Sequence, residues 1–113
     1  MIDVKILTDS EGGYTGFTMH GHAEYAEYGQ DIVCAAVSAL VINAMNSVEA
    51  FTEDAFSHAI HEKEDEVSFQ ITSHPVSASS ELLLKSLVLG LQAIESEYGK
   101  KHVHVYFEKN QEV

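Results

Sequence analysis

The sequence predicts an α+β fold: a two-layer sandwich of two helices packed on one face of a five-stranded mixed sheet, in the order ββαββαβ. Three observations carry this. Short runs at the beginning, middle and end alternate apolar and polar residues, as half-buried strands do. Two long proline-free segments carry helical composition or spacing. The chain has 113 residues, enough for one core and too few for two. Residues 1–113 therefore read as a single domain with no internal repeat, linker or low-complexity tract. Helices that bury an apolar stripe against a sheet leave its far face helix-free.

Taken in order, residues 2–7 alternate, and Asp9-Ser10-Glu11-Gly12-Gly13 reads as a turn. A second strand from Tyr14 to near His22 places Thr18, His20 and His22 on one face, with Phe17, Met19 and Gly21 on the other. Ala23, Glu24, Tyr25, Ala26, Glu27, Tyr28, Gly29 and Gln30 show no strand period. They read as a loop outside the core, whose tyrosines and glycine suit a segment that closes over something. Asp31 is the expected N-cap of a helix that starts at Ile32 and runs towards Phe51 or Phe56. That helix is apolar nearly all round until Asn43, so the pattern demands cover on several sides, from a sheet and a second helix or a second subunit. Residues 58–61 and 67–71 form a second hairpin across the charged turn Glu62-Lys63-Glu64-Asp65-Glu66. After Pro75, Ser77, Ser79 and Ser80 offer a helix start. Leu83, Leu87, Leu91, Ile94 and Tyr98 then repeat at helical spacing, and Gly99 stops the helix. Val103, Val105 and Phe107 face one way in a last strand, opposite His102, His104 and Tyr106.

Composition excludes several functions. With 18 acids against 6 lysines the formal charge is −12, which disfavours nucleic-acid binding, because that rests on neutralising phosphates with Lys and Arg. Docking of a basic patch on an anionic membrane is disfavoured for the same reason. A basic protein is the partner that the charge does favour. No window approaches 18 unbroken apolar residues, so no bilayer span is expected. The first six residues lack the apolar core of a signal peptide, which points to the cytoplasm. A single cysteine, Cys34, leaves no internal disulfide and no all-cysteine zinc site.

Cys34 is either an inert apolar residue or a reactive thiol. If Asp31 caps the helix, Cys34 stands at N3, where backbone N–H groups lack helical partners and the helix dipole is positive. Thiols so placed, or beside an imidazolium, can fall from about 8.5 to roughly 3.5–7.5. The same amides could hold an oxyanion, although the Asp31 side chain would occupy some of them. A thiol nucleophile also needs a base and acid, and a histidine has the right pKa. His22 ends a strand twelve positions before Cys34, and the loop between them permits contact. Asp31 caps the helix and could also orient His22. Ser38, one turn after Cys34, is either a small packing residue or a polar wall of the site. Gly21 is either an ordinary strand glycine or a place where backbone approaches a bound peptide.

Gly21-His22-Ala23, a variable loop, and then Gly29-Gln30-Asp31-Ile32-Val33-Cys34-Ala35-Ala36-Val37-Ser38 strongly resemble the ribosomal-processing cysteine protease family, Prp. The resemblance extends to the length of the chain and its element order, and no motif position departs from it. It implies a Cys-His dyad peptidase of Firmicutes and related bacteria that needs neither metal nor cofactor. The implied substrate is a basic large-subunit ribosomal protein, which loses a short N-terminal extension reaching towards the peptidyl-transferase centre as the ribosome matures. By resemblance Cys34 is the nucleophile and His22 the base, with Gly21, Asp31 and Ser38 at the other motif positions. Residues 23–30 correspond to a mobile active-site loop that orders on substrate. A homodimer is implied too, in agreement with the apolar start of the first helix.

Two other functions fit parts of the chain. His20 with His22, and His102 with His104, could join Cys34 in a mixed metal site if the pairs met in space. A non-enzymatic ribosome-assembly partner would need Cys34 only for packing.

Overall fold

The computed structural model describes residues 1–27 and 30–110. Strands β1 (Ile2–Thr8) and β2 (Tyr14–Gly21) form an antiparallel hairpin. Asp9 Oδ1 closes its turn by accepting the N–H groups of Glu11 and Gly13 at 2.9 and 2.8 Å, as an Asx turn does. Helix α1 (Ile32–Phe51) leads to a second hairpin, β3 (Phe56–His61) and β4 (Glu66–Ile71), joined by a 3-10 turn over Glu62–Glu64. Helix α2 (Ala78–Tyr98) precedes β5 (Val103–Lys109), which runs parallel to β1. The sheet order is β3-β4-β2-β1-β5, mixed as expected, with β2 antiparallel to β4.

Alternation builds the core. Ile2, Val4 and Ile6 on β1, Phe17 on β2, Phe69 and Ile71 on β4 and Val103 on β5 are buried. Phe17 and Phe69 stack at 5.6 Å between ring centroids. From α1, Val33, Val37, Val41, Ala44 and Val48 join the same cluster at helical spacing. From α2 the buried residues are Ser80, Leu84, Leu87, Val88 and Leu91. Leu84 rather than Leu83 is therefore innermost, with Leu83, Ile94 and Tyr98 flanking the stripe.

Several expectations are corrected. Ala23 is fully buried in the core, so the 23–30 segment is anchored at its first residue instead of lying outside. β2 stops at Gly21, whose φ of +96° ends the strand alternation. His22 therefore does not continue the face of Thr18 and His20. Within the chain α1 packs on α2 and joins the core beneath the sheet, yet one side stays open, where Ile32 and Ile42 are 58% and 57% exposed. Finally, α1 has a mean hydropathy of 1.6 over an 18-residue window, long and apolar enough by composition to span a bilayer. Core helices pass the same test, and the buried stripe of α1 belongs to the core.

Candidate active site

The site forms where β2 leaves the sheet and α1 begins. Asp31 is the N-cap of α1, and its Oδ1 accepts the N–H groups of Val33 and Cys34 at 3.0 Å each. Its Oδ2 accepts from the loop instead, Tyr25 N–H at 3.0 Å and Ala26 N–H at 3.4 Å. One carboxylate thus ties the helix and the 23–26 segment together. Partial burial opposes its ionisation. The N–H groups of Cys34, Tyr25 and Ala26 together outweigh that and hold the Asp31 carboxyl below its ordinary value.

Cys34 follows at N3, half-buried, and its Sγ accepts a hydrogen bond from Ala23 N–H at 3.2 Å. The other end of the Ala23 peptide is also held, its carbonyl oxygen lying 2.8 Å from His102 Nδ1. Tyr25 packs edge-on against both Tyr98 and His102, at centroid distances of 5.2 and 5.3 Å. The thiol is not depressed, contrary to the sequence expectation. Burial pushes it up, the Ala23 N–H opposes this, and the nearby Asp31 carboxylate adds to the rise. Burial is the larger cause, and the cap adds to it. A carboxylate seated on the helix end cancels the positive field that an uncapped N-terminus would offer. The same contacts occupy the Val33 and Cys34 amides, and Ala35 N–H bonds to Asp31 O at 3.1 Å. These helix-end groups are therefore not open to an oxyanion, and the Ala23 N–H is the donor standing beside the sulfur.

Cys34, His22, Asp31 and Ser38 line one open cleft of about 580 Å³, together with Glu24 and Ala26. The structure thus brings the four side chains of the motif together. Ser38 is exposed in this wall, which decides against a helix-packing role, and it also borders an apolar cavity of about 350 Å³ lined by Met19, Val41 and Ile60. Gly21 has a different use from the two considered. A side chain there would collide with the Met1 carbonyl, so the close approach is made by this chain's own N-terminal backbone. Of the loop, Tyr28 and Gly29 lie outside the described residues. Gln30 N–H donates to Glu27 O at 2.9 Å, and the Glu24 carboxylate pairs with the Met1 ammonium at 3.3 Å.

His22 finds its carboxylate elsewhere than at Asp31. Its Nε2 lies 3.0 Å from Asp65 Oδ2, and among the described residues it makes no hydrogen bond to Cys34. Asp65, the Ala23 peptide and His102 are the site groups that sequence reading missed. Nothing marks Asp65 within a run of five charged residues. Only the pairing of His20 with Glu66 across β2 and β4 carries that turn to the end of β2. The histidine pairs do not converge on Cys34 as a metal site. His22 turns to Asp65, His102 to Ala23 and His104 to Glu95, at 3.5 Å in the last case. Among the described residues no three His, Cys, Asp or Glu side chains are grouped to hold a metal ion.

Comparison with known proteins identifies the family and the fold. The sequence profile of the cysteine protease Prp family matches residues 1–103. The ribosomal processing cysteine protease Prp of Staphylococcus aureus is 35% identical over 101 residues, covering 88% of this chain and 93% of that protein. The protein of the same name from Bacillus subtilis is 35% identical over 104 residues, covering 87% and 90%. The solved structure of the S. aureus protease with a covalently linked product peptide matches with a TM-score of 0.88 at 29% identity, covering 96% of this chain and 100% of that one. A profile spanning nearly the whole chain, relatives above 30% identity and a shared fold lead to one assignment: the chain belongs to the Prp family of cysteine proteases.

Proposed function

We propose that this chain is the endopeptidase that removes the short N-terminal extension of a large-subunit ribosomal protein, with Cys34 as nucleophile and His22 as base and acid. The observation that carries the reading is the placement of the only cysteine in the sequence. It stands in an open cleft shared with His22, its Sγ already receiving a backbone N–H. A cysteine protease with one cysteine has one candidate nucleophile. The S. aureus relative has been solved with a substrate peptide, which supports a peptide as the occupant of the cleft.

Because burial pushes the thiol up, Cys34 rests as a neutral thiol near pH 7. His22 takes the Sγ proton as the sulfur attacks the scissile carbonyl carbon. The carbonyl electron pair moves onto its oxygen as the C–S bond forms. Collapse of that intermediate breaks the C–N bond, and His22 returns the proton to the departing amine. Water, deprotonated by His22, then releases the acyl group and regenerates the thiol.

The acidic surface suits a basic ribosomal protein as substrate, and the encounter should slow with added salt. The chain acts in the cytoplasm as a homodimer in this reading, without direct contact to nucleic acid or membrane. The open side of α1, with Ile32 and Ile42 more than half exposed, is the surface that a second copy would cover.

The test is mass spectrometry of the host's extended ribosomal protein after incubation with wild type, Cys34→Ala and His22→Ala. A single cut near the end of the extension, made by wild type alone, is the expected result. Cleavage that survives Cys34→Ala would overturn the assignment of the nucleophile. An uncut protein with correctly folded wild type would overturn the substrate.

A further inference from the structure

Asp65 is attached to the end of β2 by both its backbone and its side chain. It ends the 3-10 turn in the left-handed region, with φ 51°, and its N–H closes that turn on Glu62 O at 3.2 Å. Its carbonyl accepts Gly21 N–H at 3.0 Å. Its carboxylate then reaches His22 Nε2 at 3.0 Å. Adjacent residues of β2's end are thus fixed by one residue of the β3–β4 turn.

We propose that Asp65 is the positioning residue of the catalytic histidine, supplying from the β3–β4 turn the carboxylate that orients His22 towards Cys34. This rests on the reading of His22 as the base. A carboxylate accepting from Nε2 keeps the proton on that nitrogen, which leaves Nδ1 as the basic one. Nδ1 has no partner among the described residues, so it is the nitrogen to exchange a proton with Cys34. The other acids facing the cleft are committed. Both oxygens of Asp31 accept backbone N–H groups, and Glu24 pairs with the Met1 ammonium.

The magnitude follows from exposure. The side chains of His22 and Asp65 are 51% and 46% exposed, so solvent screens their charge interaction. A buried carboxylate behind a catalytic histidine is worth about 10⁴ in rate. Here the effect is tautomer and orientation with weak charge support, on the order of 10-fold.

Asp65→Asn and Asp65→Gly test this, since both residues tolerate the left-handed backbone and so keep the turn. Both should lower kcat/KM for the extended peptide by about 10-fold, through kcat more than KM, with unchanged melting temperature. The acid limb of the pH profile should move as well, which a merely structural role for Asp65 would not produce. Glu24, Asp31 and Cys34, which share the cleft with His22, are the same in every variant, so the displacement reports residue 65. Cys34 is the only cysteine, so iodoacetamide alkylation reads it alone. Asp65→Asn should change the pH dependence of that rate in wild type and leave it unchanged in His22→Ala.

Wild-type kcat/KM with an unmoved acid limb in either variant would overturn the proposal. So would a loss of activity matched by a loss of melting temperature, with the acid limb in place. If wild type itself leaves the peptide uncut while alkylation responds to Asp65→Asn only when His22 is present, the peptidase reading fails and the positioning contact stands.

Discussion

The two helices begin in contrasting ways. At α1 the cap is a carboxylate, Asp31, whose two oxygens accept four backbone N–H groups, two from the helix and two from the loop. At α2 the cap is a hydroxyl. Ser77 Oγ accepts Ser80 N–H at 3.1 Å and donates to Asp54 Oδ2 at 2.7 Å, while Ser77 N–H reaches the same oxygen at 3.1 Å. The N3 residues differ as well. Ser80 is fully buried and its hydroxyl donates to Thr52 Oγ1 at 3.3 Å, whereas Cys34 is half-buried at an open cleft. The same backbone position thus serves as a closed junction in one helix and as a thiol at an open cleft in the other. A hydroxyl cap with its acid set behind it locks the end of α1 to the start of α2. A carboxylate cap also organises a loop, at the cost of raising the neighbouring thiol.

Substitution at the two N3 positions should sharpen this contrast most. Cys34→Ala is expected to lower peptide cleavage by about 10³-fold or more while leaving thermal unfolding close to wild type. Ser80→Ala should do the reverse, costing about 1–3 kcal/mol by removing a buried hydrogen bond and leaving kcat/KM per folded molecule unchanged. Equal effects on activity would break the distinction.

The caps come next. Asp31→Ala should cost about 2 kcal/mol, at the upper end for an N-cap, because loop amides lose their acceptor along with the helix. Ser77→Ala should cost about 1 kcal/mol. Denaturant unfolding of the pair measures both, and a Ser77→Ala loss larger than that of Asp31→Ala would overturn the ranking. Asp31→Asn separates charge from capping. The uncharged cap should let Cys34 ionise at lower pH, read as faster alkylation at pH 7–8. An unchanged rate would mean that burial alone raises the thiol.

The smallest effect is on acid stability. The Asp54 carboxyl is held below its ordinary value by the neighbouring Ser80 and Ser77 side chains and the Ser77 N–H, and that of Asp31 by backbone N–H groups against the effect of burial. A folded value below the unfolded one gives stability that is fully present above about pH 4 and lost as pH falls through the folded values. Melting temperature should therefore fall more steeply below pH 4 in wild type than in Asp31→Asn or Asp54→Asn. Parallel curves would show that neither carboxylate is linked to folding.

Much of this was legible in the chain because it is local. Asp31 before an alanine-rich apolar run fixes a helix start and puts Cys34 at N3. Alternation in 2–7 and 103–107, and the 87, 91, 94 spacing, give strands and a helix at nearly their observed bounds. Ser38 falls on the Cys34 side by helical periodicity alone. Local rules stop at Ala23, which has no pattern to mark it as core and whose peptide is held by Cys34 and by the distant His102.

By itself, then, the sequence determined the element order, the cap, the position of the single thiol and the company of His22, since these depend on residues within a few turns of one another. Tertiary structure alone decided the state of the thiol, the partner of His22 and which amide faces the sulfur. The thiol is raised because packing buries the sulfur and, to a lesser degree, because Asp31 fills the helix end. His22 meets Asp65 because β4 pairs with β2, a contact across 43 residues that no local pattern encodes (22 to 65). Charge and solvation are set by what surrounds a group in space, and for this site those surroundings come from distant parts of the chain.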